Sequence, residues 1–293
     1  MGKSAPQAAK GGKPKKTASG SWFSTAFDYD HHIKFVIIVT VTVHCCRLKK
    51  GTAACGRFGD HRLRRTKRKR NASCARVAVI PIVHKRLRAI LGMSMGGMNA
   101  WQWAERYPDQ ADAIMPVVSV PAPVSGRNLL WRRMAIAEIR NDLDWQRGDC
   151  TKPPLGFMQA YLLLRMMIDG VPHLQVAISD SKAADSYMTA IAEQNAQSDP
   201  NDLLYSLEAS QDYDPEPDLA EVKAKVFALN FSDDEFNPDE LQILQSRMKS
   251  VKNGHYLVQK GSSETYGHLT MAHPALWAEH VREFVHDIVI SVS

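Results

Sequence analysis

The run Gly92-Met93-Ser94-Met95-Gly96 constrains this chain more than any other stretch, because of what flanks it. Before it, Leu87-Arg88-Ala89-Ile90-Leu91 is a short apolar segment of the kind that forms a buried strand. After it, residues 95–107 are helical in pattern until Pro108 stops them. A strand that enters a helix through one serine must turn very sharply. The serine is then held in a strained backbone conformation with its hydroxyl lifted above the sheet. Helix and strand approach too closely there for a Cβ, and Gly92, Gly96 and Gly97 meet that demand. In a plain loop the same pattern would be a glycine-rich turn with an idle serine. The strand-turn-helix setting favours Ser94 as a nucleophile.

A serine nucleophile needs an acid and a base, which in this context follow in the order Ser, Asp or Glu, His. Val226-Phe-Ala-Leu-Asn230 reads as a strand, and Phe231-Ser-Asp-Asp-Glu-Phe-Asn-Pro238 as the loop after it. Asp234 stands four residues before Pro238 and is the preferred acid, with Asp233 the runner-up. The plainer reading is that these carboxylates cap a helix starting near Pro238. Gly267-His268 lies in a loop before a final helix expected over about 274–288, and His268 is the candidate base. His255 opens a strand (Tyr256-Leu-Val258), and His273 falls at the start of the last helix, so both are weaker candidates.

Between these landmarks the periodicity changes character. Ala113–Val120 is the next expected strand, with Pro116 a mild objection. Residues 121–222 are mostly helical in pattern, including 128–143, 155–168 and 181–197, interrupted by prolines at 153–154, 172, 200 and 215–217. About 100 residues between consecutive core strands is too long for a simple crossover. The segment is read as a helical lid over Ser94. Trp131, Phe157, Tyr161, Met166 and Met167 are either pocket lining or, the commoner case, the lid's own core.

From about Lys85 onward the chain resembles the α/β-hydrolase superfamily and, within it, the homoserine O-acetyltransferase-like group. The resemblance rests on Arg86-Leu-Arg-Ala-Ile-Leu-Gly-Met-Ser-Met-Gly-Gly97, Trp103-Ala-Glu-Arg-Tyr-Pro-Asp109, Asp199-Pro-Asn-Asp-Leu-Leu-Tyr205, Ser232-Asp-Asp-Glu-Phe-Asn-Pro238 and Gly267-His268. It implies an α/β-hydrolase fold: a mostly parallel sheet flanked by helices, with a helical lid inserted after the strand that follows the nucleophile helix. It implies Ser94 as nucleophile, Asp234 as acid, His268 as base, and the Met95 backbone N–H as one oxyanion donor. Two departures stand out. The lid arginine of such acetyltransferases, in a Tyr-Arg-Ser type segment, has no counterpart, since Asp169-Gly-Val-Pro-His-Leu174 occupies roughly that place. A Gly/His-rich loop supplying the second oxyanion donor is not found before Leu87.

The early chain has a different character. Residues 1–90 carry 21 Lys+Arg against 3 Asp+Glu, and the remainder carries 16 against 28. The modest net charge of +6 therefore hides a steep asymmetry. Residues 1–30 read as a basic tail, disordered over about 1–21. Phe35–Val43 is strongly β in character. Cys45, Cys46, Cys55, Cys74 and the run Arg62–Arg70 fit no step of a hydrolase core. That segment, about 31–85, is a phosphate-binding or targeting patch, a solvated insertion, or out-of-frame sequence replacing genuine strands. The third reading is preferred, because the homologous pattern resumes abruptly near Lys85. No aromatic residues interleave the basic run, which disfavours single-strand nucleic-acid binding.

The domain expectation is a basic tail over 1–30 and one α/β-hydrolase domain over 31–293, with the lid at 121–222. No Cys/His spacing points to zinc, and no glycine loop points to a dinucleotide, so no cofactor is expected. No apolar run reaches the ~20 residues of a membrane span. Phe35–Val43 is too short for one and too far from Met1 for a signal segment. A cytoplasmic location follows as the default, with Cys150 an ordinary thiol. The expected partner is a small-molecule ester or acyl donor, acetyl-CoA by the resemblance, and a homodimer is entertained. The preferred activity is serine-dependent ester hydrolysis. The alternatives are acyl transfer of the homoserine O-acetyltransferase type, or a degenerate protein without activity.

Overall fold

The computed structural model describes residues 28–29, 33–39 and 86–290. They form a six-stranded sheet with its strands in sequence order: β1 (Asp28–Tyr29), β2 (Ile33–Val39), β3 (Leu87–Met93), β4 (Ala111–Val117), β5 (Lys225–Phe231) and β6 (Gly254–Gln259). Only the β1–β2 pair is antiparallel. The expected strand at Phe35–Val43 is present as β2 as far as Val39, in register with β3 from Phe35 opposite Ala89 to Val39 opposite Met93. The rest of it, the basic tail, Cys45, Cys46, Cys55, Cys74 and the Arg62–Arg70 run lie outside the described residues.

The apolar runs in β3, β4 and β5 exist because both faces of the sheet are covered. Alternate side chains feed two cores. Ile90, Ile114, Val226 and Ala228 pack with Ala100, Trp101 and Ala104 of α1 (Met95–Arg106) and with Leu244 and Met248 of α7 (Ile243–Met248). Ala89, Ala113, Met115, Phe227, Leu229 and Phe231 pack with Phe284 and Ile288 of α8 (Ala278–Ile290). Strands that advance in one direction through right-handed crossovers place their connecting helices on one face, and the terminal helix closes the other.

Five helices lie between β4 and β5: α2 (Gly126–Asn141), α3 (Leu155–Ile168), α4 (Val171–Ala177), α5 (Ser181–Asn195) and α6 (Pro200–Glu208). They bury a core of their own, with Ala135, Ile136 and Ile139 against Phe157, Ala160, Leu164, Leu204 and Leu207. Phe157 and Tyr161 belong to this core, whereas Met166 faces outward. Pro172 and Pro200, read from sequence as links, instead sit in the first turns of α4 and α6. An N–H is dispensable at those positions and the fixed φ suits the helix. The expected last helix divides, with a short 3₁₀ turn at Pro274–Leu276 before α8. Pro116 sits one residue from the end of β4, and the pairing with β5 skips it, passing from Ile114 opposite Val226 to Val117 opposite Leu229. No helix among the described residues is long and apolar enough to cross a membrane.

Candidate active site

The ends of β3, β4, β5 and β6 converge on one edge of the sheet, the usual place for a site in a parallel α/β arrangement. Ser94 follows β3 directly and has φ 52° and ψ −120°, a region that side-chain-bearing residues rarely occupy. Its N–H donates to the Val117 carbonyl at the end of β4, 2.9 Å away. Gly92 is dictated by the turn: a Cβ there would lie 2.1 Å from the Gly96 carbonyl oxygen. Met95 opens α1, and its N–H points forward from the helix start without an intrahelical acceptor.

Three side chains distant in sequence meet here. Ser94 Oγ is 2.8 Å from His268 Nε2. On the other side of the ring, His268 Nδ1 is 2.9 Å and 3.1 Å from the two oxygens of Asp234. Asp234 is 1% exposed and His268 6%, so this ion-pair geometry is shielded from water. A buried carboxylate needs further donors, and Asp234 has them: the Phe236 N–H at 2.9 Å and Asn237 Nδ2 at 2.8 Å. The edge of the Phe236 ring packs on the imidazole, with centroids 4.7 Å apart.

The neighbouring acid has another task. Asp233 Oδ2 accepts from Thr265 Oγ1 at 2.7 Å and from the Gly267 N–H at 3.2 Å. Asp233 thus fastens the loop that carries His268 and does not touch its ring. Gly267 itself has φ +56°, and a Cβ on it would meet the main chain of Asp169, Gly170 and Asp233 within 3 Å. Neither carboxylate caps the helical turn after Pro238. His255 lies in β6 stacked on Phe227, and His273 is stacked on Tyr266 at 4.0 Å.

Sequence reasoning missed Phe236, Asn237 and Thr265. Asn237 carried one usable signal: an amide three residues past the candidate acid, within a turn closed by Pro238. The arginines of the inserted helices are mostly engaged. Arg127 pairs with Glu235, Arg140 with Glu208 and Arg165 with Asp169. Arg132 has neutral partners, Asn128 and Ser210, and lies over the Phe236 ring at 5.7 Å. Burial pushes its guanidinium down to about 10. The segment in which the resemblance seeks a second oxyanion donor is outside the described residues.

Sheet, elbow and converging loops define an α/β hydrolase by fold. Comparisons agree: the chain superposes on a homoserine O-acetyltransferase from Bacillus anthracis with TM-score 0.60 at 21% identity, covering 68% of this chain and 60% of that one. It matches the acetyl esterase MekB with TM-score 0.53 at 22% identity, covering 63% and 56%. In sequence it is 26% identical over 160 residues to a probable acyltransferase of Methanothermobacter thermautotrophicus, 55% of this chain and 49% of that protein. It is 36% identical over 70 residues to a homoserine O-acetyltransferase of Geotalea daltonii, 24% of this chain and 19% of that one. The chain therefore spans about half the length, or less, of these curated relatives. No family model matches it. Together the structural likenesses show the α/β-hydrolase fold, and in sequence the chain is similar over these stretches to acyltransferases of the homoserine O-acetyltransferase kind.

Proposed function

We propose that this protein is a serine-dependent acyl-ester hydrolase working through an acyl-enzyme. The observation that carries the reading is the continuous chain of short contacts from Ser94 Oγ through the His268 ring to Asp234. With its Nδ1 proton donated to Asp234, the imidazole turns the Nε2 lone pair toward the serine hydroxyl. His268 takes that proton as Ser94 Oγ attacks an ester carbonyl. Asp234 holds the tautomer and stabilises the imidazolium that forms. The Met95 N–H faces the developing oxyanion, where it acts without reorganisation. His268 returns the proton to the leaving alcohol, then activates water to release the acid. Helices α2 to α6 act as the lid, and a small-molecule ester is the substrate class.

A second reading, acyl transfer to an alcohol bearing a carboxylate, is favoured by one feature. Arg132 is largely buried, bonded only to neutral groups, and lies against the same Phe236 that packs on His268. An acceptor must outcompete ~55 M water, and an arginine clamp is the usual physical means. The acyltransferase names of several relatives point the same way. Hydrolysis stays ahead because the arginine segment implied by the resemblance is missing.

One experiment addresses both. The protein is treated with a fluorophosphonate probe and assayed on short-chain nitrophenyl esters, alongside Ser94→Ala. Labelling and turnover are expected in the parent and absent in the variant; labelling that persists in Ser94→Ala removes Ser94 from the mechanism. In parallel, acetyl-CoA with homoserine is expected to give little O-acetylhomoserine. Saturable formation of that product would move the assignment to acyl transfer.

A further inference from the structure

Asn237 has no role in the mechanism above, yet its amide lies between two parts of the site. Its Nδ2 donates to Asp234 Oδ2 at 2.8 Å and to the Val118 carbonyl at 3.1 Å. Both neighbours are acceptors only, so the amide can present nothing but its NH₂ to them. The two contacts together fix its orientation.

Val118 explains why that carbonyl is available. It follows β4 with φ 47°, an unusual and strained conformation for a buried β-branched residue. The twist sends the Val118 N–H to the Leu229 carbonyl at 2.8 Å and leaves its own carbonyl to Asn237. One residue earlier, the Val117 carbonyl accepts the Ser94 N–H. Two consecutive carbonyls at the end of β4 thus hold the serine turn and, through Asn237, the acid loop.

We propose that Asn237 is a positioning residue for the acid: it ties the Asp234 carboxylate to the β4 terminus that also supports Ser94. The strained Val118 peptide is the frame on which both are hung. This rests on the acyl-enzyme reading, in which Asp234 acts on His268. The amide does two things. It holds Oδ2 within reach of Nδ1, and it draws part of the carboxylate's charge toward itself. Without that donor, more negative potential falls on the imidazole and its cation gains stability.

The test follows His268 directly. The protein is labelled with ¹³C at histidine Cε1, and the His268 resonance is assigned by its loss in His268→Gln. It is then titrated in the parent, Asn237→Ala and Asn237→Leu, with far-UV circular dichroism as the fold control. Asn237→Ala is expected to raise the titration midpoint by about half to one pH unit. Asn237→Leu, of nearly equal size and without the donor, should raise it by a similar amount. Ester turnover in Asn237→Ala should fall about tenfold in kcat with KM little changed, since a hydrogen bond to a charged group is lost away from the substrate. The other charged groups around the ring, Asp233 bonded to Gly267 and Arg132 against Phe236, are unaltered in each variant. A folded variant with an unmoved midpoint overturns the proposal. Asn237→Leu decides the matter if Asn237→Ala does not fold. Failure of the parent to take up the fluorophosphonate would count against the acyl-enzyme reading, while the titration would still report on Asn237.

Discussion

Asp233 and Asp234 are the same residue type one position apart, and their surroundings give them different work. Asp234 faces the imidazole with both oxygens, while Asp233 is turned to Thr265 and the Gly267 main chain. Asp234→Asn places an amide against Nδ1 and favours the tautomer whose Nε2 carries the proton. Loss of kcat on the order of 10⁴ is expected, as for the same change in the serine-protease triad. Asp233→Asn keeps an acceptor for Thr265 and leaves the ring alone. It should lose less than about tenfold in activity, with a stability cost of ~1–3 kcal/mol for the weakened loop contacts. Ester kinetics and urea denaturation on both variants separate the two; a reversed order of activities would move the triad to Asp233. In the local sequence, only the spacing to Pro238 distinguishes the pair. The choice depends on which carboxylate the turn after Phe231 aims at a histidine 34 residues away.

At the scale of elements, the strand-turn-helix unit around Ser94 was readable because its constraints are local. Gly92→Ala tests it. The added methyl would lie 2.1 Å from the Gly96 carbonyl oxygen and 2.4 Å from its carbon, both main-chain atoms of α1 that have no rotamer to yield. Destabilisation upwards of ~3 kcal/mol, or failure to fold, is expected in a urea melt. A fully stable Gly92→Ala protein would mean that helix and strand can separate without cost. The inserted helices were readable in outline from their periodicity, with α3 and α5 beginning where expected, whereas α4 and α6 fell in stretches read as proline-bearing links. At α6, Asp199 accepts from the Asn201 N–H, an ordinary N-cap hidden beside a proline that reads as a break. A proline marks an interruption or a first turn equally well until the packing of the next residues is known.

At the scale of the whole molecule, burial changes one carboxyl among the described residues enough to colour the pH response. Glu105, near the end of α1, is pushed up to about 8 from its ordinary 4.5, first by burial and then by the nearby negative charge of Asp218, with Arg106 opposing and Asp214 adding to the rise. The folded state therefore holds a proton that the unfolded chain releases. The sign follows from linkage: this group's stabilising contribution is complete below about pH 4.5 and is progressively lost as pH rises to about 8. Glu105→Gln should flatten that part of the profile and gain stability relative to the parent at about pH 8–9, measured by urea unfolding at several pH values. Equal slopes in both proteins would show that the carboxyl ionises freely in the fold.

Local chemistry was enough to determine the elbow, the apolar strands β3 to β5 and the helical character of residues 121–222. Each follows from residue types within a turn or two of one another, where sterics and periodicity act alone. Tertiary structure decided the rest. Ser94 and His268 are 174 residues apart, and Asn237 reaches Val118 across 119. Those meetings depend on strand order and register, which no neighbouring residue encodes. The strained Val118 peptide is the clearest case: valine there falls inside the strand expected over Ala113–Val120, whereas β4 ends at Val117. Only the fold, by requiring one carbonyl for Ser94 and the next for Asn237, gives a reason for its backbone to turn.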